Sequence, residues 1–228
     1  MEAGSTGVRF SPYQGDDGRE SRLLPLNHRL IHPETVGKQE RYQLITSLVV
    51  PRPIGWISTF GIDGTPNLAP FSFFSAVSAT PMLISVSVGA RKGEHKDTLV
   101  NIRQGGEFCA NVVTELHLEA MNQTSSEVGP GVDEFALAGV PMATASVVNA
   151  PYVADCPAVL ECRCIQEVEI GEAGGLFIGE VVAIHVDSAL DVIEGTEYVD
   201  PESLRPIGRL WGAAYTLLGE IKVIPRPK

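Results

Sequence analysis

Between positions 48 and 88 the chain passes through three strand-length apolar stretches, and each break between them is a Pro or a Gly/Asp turn. Residues 48–50 and 54–60 flank Pro51-Arg52-Pro53 and stop at Gly61-Ile62-Asp63-Gly64, a tight-turn composition. Residues 67–77 and 82–88 follow, the last directly after Pro81. Strand-length runs at this spacing, with no helical period among them, commit the region to a sheet. Further strands are expected at 107–113, 159–170 and 176–186, the last two joined by a turn at 171–175. Short helices are expected at 39–48, at 94–104 with Asp97 or Thr98 as cap, and at 114–122 with Thr114 as cap. Leu99, Val100 and Ile102 should face inward from the second of them. Residues 123–139 and 187–204 read as loops, the first polar and the second acidic. Long β runs decorated by short helices predict a mainly β protein built as a closed barrel. No βαβ alternation and no Gly-x-Gly-x-x-Gly after a strand is present, which disfavours a Rossmann fold.

The chain's 228 residues, 44% of them hydrophobic, can bury one sizeable core. Residues 1–40 lack periodicity and are interrupted by Pro12, Pro25 and Pro33. They are read as an N-terminal extension, partly disordered or packing on a partner subunit, ahead of a domain at 41–228. A net charge of −11, from 17 basic and 28 acidic residues, argues against nucleic acid and anionic membranes as partners. No run of eighteen uncharged apolar residues exists, and the N-terminus lacks a basic start and an apolar core, so a cytoplasmic protein is expected. Cys109, Cys156, Cys162 and Cys164 form no Cys-x-x-Cys pair and have no His at ligand spacing. They are read as buried thiols in a reducing compartment, with no metal site.

Against this acidic background, positions 91–103 carry four Lys/Arg beside Glu94 and Asp97. Arg91, Lys92, Lys96 and Thr98 at the start of an expected helix suit a phosphate, because helix N–H groups and cationic side chains both favour an anion. A solvated basic turn fits the same spacing. Upstream, Thr59, Asn67, Ala69, Pro70, Ser72, Phe73 and Ser87 are the residue types that a planar heterocycle needs. Small side chains let a ring approach the backbone, and hydroxyls and amides meet its polar edge. Phe71, Phe73 and Phe74 equally fit plain core packing; at period two, Phe71 and Phe73 share one face and Phe74 takes the other. His185, late in a β run, reads either as an acid/base group or as a satisfied strand histidine.

The blocks VPRPIGWIST (50–59), DGTPNLAPFSFFSAVS (63–78), KDTLVNI (96–102), GEFCANVV (106–113), GEVVAIHVD (179–187) and PIGRLWGAAY (206–215) resemble, in order, the flavin-reductase-like family of FMN-binding split barrels. So does MNQTS…DEF…AGV within 121–140. The likeness is to the nitrilotriacetate monooxygenase component B type and spans about residues 41–220. It implies a split β-barrel with short peripheral helices and a homodimer with the flavin at or near the interface. It also implies FMN, or FAD, as flavin, NAD(P)H as hydride donor, and a possible monooxygenase partner. Thr59 and the run from Asn67 through Ser72, Phe73 and Ser75 would line the ring and ribityl chain, with Ser87 beside them. Arg91, Lys92, Lys96 and Thr98 would hold phosphate, and His185 and Arg209 would sit towards the nicotinamide or the ring face. The family's Arg-Leu-Gly-Gly stands here as Arg209-Leu210-Trp211-Gly212. A Trp turned into the site would either block nicotinamide stacking or select another substrate. The expected activity is thus NAD(P)H:flavin reduction. The alternatives are an FMN-bound enzyme acting on a specific small organic substrate, or a flavin- or haem-binding electron carrier.

Overall fold

Two compact units divide the chain, Met1–Arg41 and Tyr42–Lys228. The computed structural model describes residues 27–90, 95–129, 131–171 and 174–227. In the first unit, a 3-10 turn at Pro33–Thr35 offers its Pro33 carbonyl to Arg41 Nη1 at 3.3 Å. Helix α1 spans Lys38–Leu48, one residue from the expected start.

Antiparallel pairing follows chain order wherever a short turn allows it. The turn at 61–64 uses Gly64 at φ 83°, a left-handed geometry natural to glycine, and closes through Gly64 N to the Gly61 carbonyl at 2.9 Å. It folds β1 (Gly55–Phe60) onto β2 (Pro66–Phe71), with Thr59 opposite Asn67 and Trp56 opposite Pro70. The single strand expected at 67–77 is in fact two. The ladder to β1 ends at Phe71, and after Ser72 and Phe73 the chain re-pairs as β3 (Phe74–Ala79) with β4 (Met82–Val88). This break changes the expected placement of the phenylalanines. Phe71 is buried and Phe74 packs on the same core, whereas Phe73 is exposed.

Helix α2 (Asp97–Gly105) begins after Lys96, which is its N-cap without a side-chain capping bond. Thr98 and Asp97 therefore do not cap it; both lie in its first turn. Gly106, left-handed at φ 69°, stops the helix and donates to the Ile102 carbonyl at 2.8 Å. Strand β5 (Glu107–Val112) leads to a 3-10 turn and α3 (Leu118–Gln123). Thr114 is spent on His117 Nδ1, at 2.9 Å, rather than on a cap. The expected loop at 123–139 contains a short helix, α4 (Glu134–Ala138), capped by Asp133. A small hairpin, β6 (Met142–Thr144) and β7 (Pro151–Val153), precedes the long hairpin of β8 (Ala158–Ile170) and β9 (Gly174–Val186). The acidic segment holds α5 (Pro201–Leu204), and β10 (Gly208–Arg209) pairs with β11 (Tyr215–Thr216).

The main sheet has seven strands in the order β2-β1-β5-β8-β9-β4-β3, and every neighbouring pair is antiparallel. It curls on itself. Ile57, Phe71, Ile84, Val86, Phe108, Ala110, Cys162 and Phe177, from six of its strands, join Leu99 and Ile102 of α2 in one buried cluster. Gly179 makes the curl possible, because a Cβ there would lie 2.5 Å from the Phe108 ring. Alternate residues of β1 and β2 point the other way. Trp56 and Leu68 pack with Met121, Phe135, Val153 and Ile207 under the helices, and Trp56 is wholly buried. Cys109 and Cys162 are buried and all four thiols are free; burial pushes Cys162 up to about 12 and Cys156 to about 11. Among the described residues no helix is long and apolar enough to cross a membrane.

Candidate functional site

Where β1, β2 and the start of α2 meet, buried polar side chains bond one another. Asn67 Nδ2 donates to both Glu134 carboxylate oxygens, at 3.2 and 3.1 Å. Its Oδ1 accepts from Thr98 Oγ1 at 2.8 Å and from Thr59 Oγ1 at 3.3 Å. Asn101 Nδ2 donates to Thr59 Oγ1 at 2.9 Å, and the Leu68 N–H reaches Glu134 at 3.1 Å. Every amide atom of Asn67 is committed, so its orientation is fixed. Burial pushes the Glu134 carboxyl above its usual range. Hydrogen bonds from Leu68, its own backbone and Asn67 pull it back, and the charge of Asp97 raises it again.

Above this network opens a cleft of about 580 Å³, a size typical of ligand sites. Asn67, Ala69 and Pro70 form one wall, Lys96, Asp97 and Thr98 another, and the segment 124–129 a third. Lys96 Nζ stands 5.3 Å from the centre of the Phe71 ring, at the barrel mouth. The third wall is anchored from below by Trp56, whose Nε1 donates to Thr124 Oγ1 at 2.9 Å. Small and hydroxyl side chains thus face a locked polar floor, with a cation on one side.

Of the residues picked from sequence, Asn67, Ala69, Pro70, Lys96 and Thr98 line the cleft, and Thr59 lies beneath it. Ser72 and Phe73 lie two and three residues beyond Pro70, beside Arg52. Ser75 and Ser87 sit on β3 and β4; Ser75 Oγ bonds the Ala76 carbonyl, and Ser87 N donates to the Phe73 carbonyl at 2.8 Å. Arg91 and Lys92 fall outside the described residues. His185 is not brought to the cleft. Its Nε2 lies 2.5 Å from the buried Glu161 carboxylate, and its ring stacks on Tyr152 at 5.0 Å. Arg209 stacks on Tyr215 at 4.4 Å and donates to the Gly212 carbonyl. Trp211 is exposed, in the turn between β10 and β11.

Three participants escaped the sequence reading. Glu134 hid in an apparent loop, although Asp133 ahead of it is a normal helix-cap signal. Segment 124–129, Thr-Ser-Ser-Glu-Val-Gly, shows no periodicity. Arg52 looked like an interruption between two prolines, yet it is buried and clasps three carbonyls. Its Nη1 donates to Thr46 and Val49 at 2.6 and 2.7 Å, and its Nη2 to Leu210 at 2.6 Å.

Comparison with known proteins sets this cleft in a family context. The model of the flavin reductase like domain matches residues 47–198. The crystal structure of nitrilotriacetate monooxygenase component B from Bacillus cereus aligns with a TM-score of 0.84 at 32% identity, covering 88% of this chain and all of that one. The 2-nitrobenzoate 2-nitroreductase NbaA of Pseudomonas fluorescens gives 0.79 at 27% identity, over 87% of this chain and 96% of that one. A split-barrel protein of Shewanella frigidimarina shares the fold, with a TM-score of 0.75 at 21% identity over 86% and 96% of the two chains. The curled seven-stranded sheet is therefore a split barrel.

Proposed function

Because this chain belongs to the flavin reductase-like family, a family of flavin oxidoreductases, we propose that it is an NAD(P)H-dependent FMN oxidoreductase with its flavin in the Asn67–Lys96–Thr124 cleft. Bound FMN supplies an acceptor at N5 for the hydride on nicotinamide C4. The observation that carries the reading is the convergence, on one cleft, of five residues chosen for flavin chemistry from sequence alone. The fit is physical. Ala69 and Pro70 leave room for a flat ring against the β2 backbone, and the exposed hydroxyls of Ser125 and Ser126 suit a polyol chain. Lys96 supplies positive charge for a phosphate, with Arg91 and Lys92 five and four positions before it in sequence. Asp97, Glu127 and Glu134 also line the cleft, so the phosphate belongs at the Lys96 side, away from Glu134.

The protein's work in this reading is positional. Thr59, Thr98 and Glu134 hold Asn67 in one orientation, and the cleft walls keep water from the ring face. Arg209 serves the second substrate. The exposed apolar residues Ile165, Val168, Ile184 and Val186 on the long hairpin support a homodimer. Likeness to component B supports delivery of reduced flavin to a monooxygenase. A second reading, an FMN-loaded enzyme reducing a small organic molecule, is favoured by the likeness to the nitroreductase.

Purified protein decides between them. Rapid NAD(P)H oxidation only with added FMN supports flavin as substrate. Yellow colour that survives gel filtration, with slow turnover of free FMN, supports the second reading. Neither colour nor flavin-dependent oxidation refutes both.

A further inference from the structure

In a chain with eleven more acids than bases, two arginines side by side with no carboxylate between them call for a cause. Arg103, Arg163 and Arg205 each hold one: Glu167 at 2.6 Å, Glu107 at 3.1 Å and Glu115 at 2.8 Å. Arg52 and Arg209 hold none among the described residues. Their backbones pair in an isolated antiparallel bridge, with N···O distances of 3.0 and 2.8 Å, which keeps the two side chains together. Burial lowers the Arg52 pKa most; Tyr42 opposes this, and the like charge of Arg209 lowers it further. Arg209 commits one N–H to the Gly212 carbonyl and lays its guanidinium face on Tyr215. Most of its five donors remain available at a half-buried position.

This pair adjoins the cleft by two separate routes. Pro70 lines the cleft, and Ser72, two residues on, accepts from Arg52 Nε at 3.4 Å. Thr124 lines the cleft, and Asn122, two residues back, accepts from the Tyr215 hydroxyl at 2.9 Å. Two residues span about 7 Å in the extended chain leaving β2 and less at the helical end of α3. Exposed Phe73, whose ring centre lies 5.9 Å from the Arg52 guanidinium, flanks the same place.

We propose that Arg52 and Arg209 form an anion-binding subsite at the cleft rim, which takes the carboxylate or phosphate of a planar second substrate. The subsite rests on the cleft being the flavin site and names the chemical class that meets it: an anionic donor or acceptor rather than a neutral one. Arg209 is the binding group. Arg52 is the positioning residue, holding the Leu210 carbonyl and, through Ser72, the strand leaving the cleft. Two sources could supply the anion, a carboxylated aromatic acceptor or the pyrophosphate of the nicotinamide donor, and a guanidinium fork recognises both.

Calorimetric titration of the full-length protein, with and without FMN, tests this. The probes are benzoate against neutral benzamide, and ADP-ribose against neutral adenosine. At least one anion should bind about tenfold or more tightly than its neutral counterpart, the size of one charge-assisted contact. A preference for benzoate identifies a carboxylated acceptor; one for ADP-ribose identifies the nicotinamide donor. Arg209→Gln should erase the preference and Arg209→Lys should keep part of it. Arg205→Gln, which breaks a surface pair with Glu115, should leave it intact. Equal binding of charged and neutral probes by the natural protein overturns the proposal without any variant, as does a preference that survives Arg209→Gln. An anion preference in protein that binds no FMN would leave the subsite standing and remove the flavin reading instead.

Discussion

Replacing Glu161 with Gln should unfold the protein more easily near neutral pH and make progressively less difference in acid. The Glu161 side chain is wholly buried in β8, and its carboxylate gathers five donors. Oε1 accepts from Ser146 N, Ser146 Oγ and His185 Nε2 at 2.8, 2.7 and 2.5 Å, and Oε2 accepts from Val147 N and Val148 N at 2.7 and 3.0 Å. Burial alone would raise its pKa, but the bonds from His185, Ser146 and Val147 outweigh it and bring the carboxyl down to about 2, from 4.5. Because the folded-state value is the depressed one, the stabilisation is complete above the unfolded pKa and disappears as pH falls through the folded one. At roughly 1.4 kcal/mol per pKa unit this amounts to about 3 kcal/mol. A second route gives a similar figure. A Gln amide must turn its NH₂ towards one set of donors, stranding at least one backbone N–H and displacing another, at about 1–3 kcal/mol each. Urea unfolding at pH 7 should therefore show a loss of about 3 kcal/mol, with the melting temperature down by about 6–12 °C. By pH 3 the gap between variant and natural protein should shrink to about half or less. A loss under about 0.5 kcal/mol, or one that does not change with pH, would refute the reasoning.

Three further outcomes can be checked. Glu134→Gln presents an NH₂ group to the Asn67 amide, so FMN affinity, read by flavin fluorescence, should fall about tenfold; unchanged affinity would detach the buried network from the ligand. Changing Arg91, Lys92 and Lys96 together to Ala should weaken FMN far more than riboflavin, which lacks the phosphate, and equal losses would show that these cations serve only the fold. Gly179→Ala drives a methyl into the Phe108 ring and should destabilise the barrel by about 1–3 kcal/mol in a denaturant titration, whereas a neutral result would mean that β9 can shift outward there.

Local pattern carried much of the fold. Strands β1, β4, β5, β8 and β9 and helices α1 and α2 lie within a few residues of where hydrophobic period and turn residues put them. It failed where the chain changes partner. Residues 67–77 read as one strand because their composition is continuous, yet pairing moves from β1 to β4 at Ser72 and Phe73, and a neighbour's identity is not written in local composition. Helix α4 has only five residues, too few for a period to show. The cleft was legible as far as its small residues on β2 and the cation that caps α2. Glu134 and the 124–129 wall were not, because they owe their place to long-range bonds: Asn67 to Glu134, and Trp56 to Thr124. Arg52 was obscured because three of its partners are main-chain carbonyls, one of them Leu210 far along the chain.

The Arg52 clasp sets a condition on biosynthesis. It closes on the carbonyl of Leu210, 158 positions downstream. A nascent chain emerging from the ribosome can roll up most of its barrel while this guanidinium still waits for its last acceptor. A chain cut short before Leu210 would keep all seven strands of the main sheet and lack the acceptor that closes the rim.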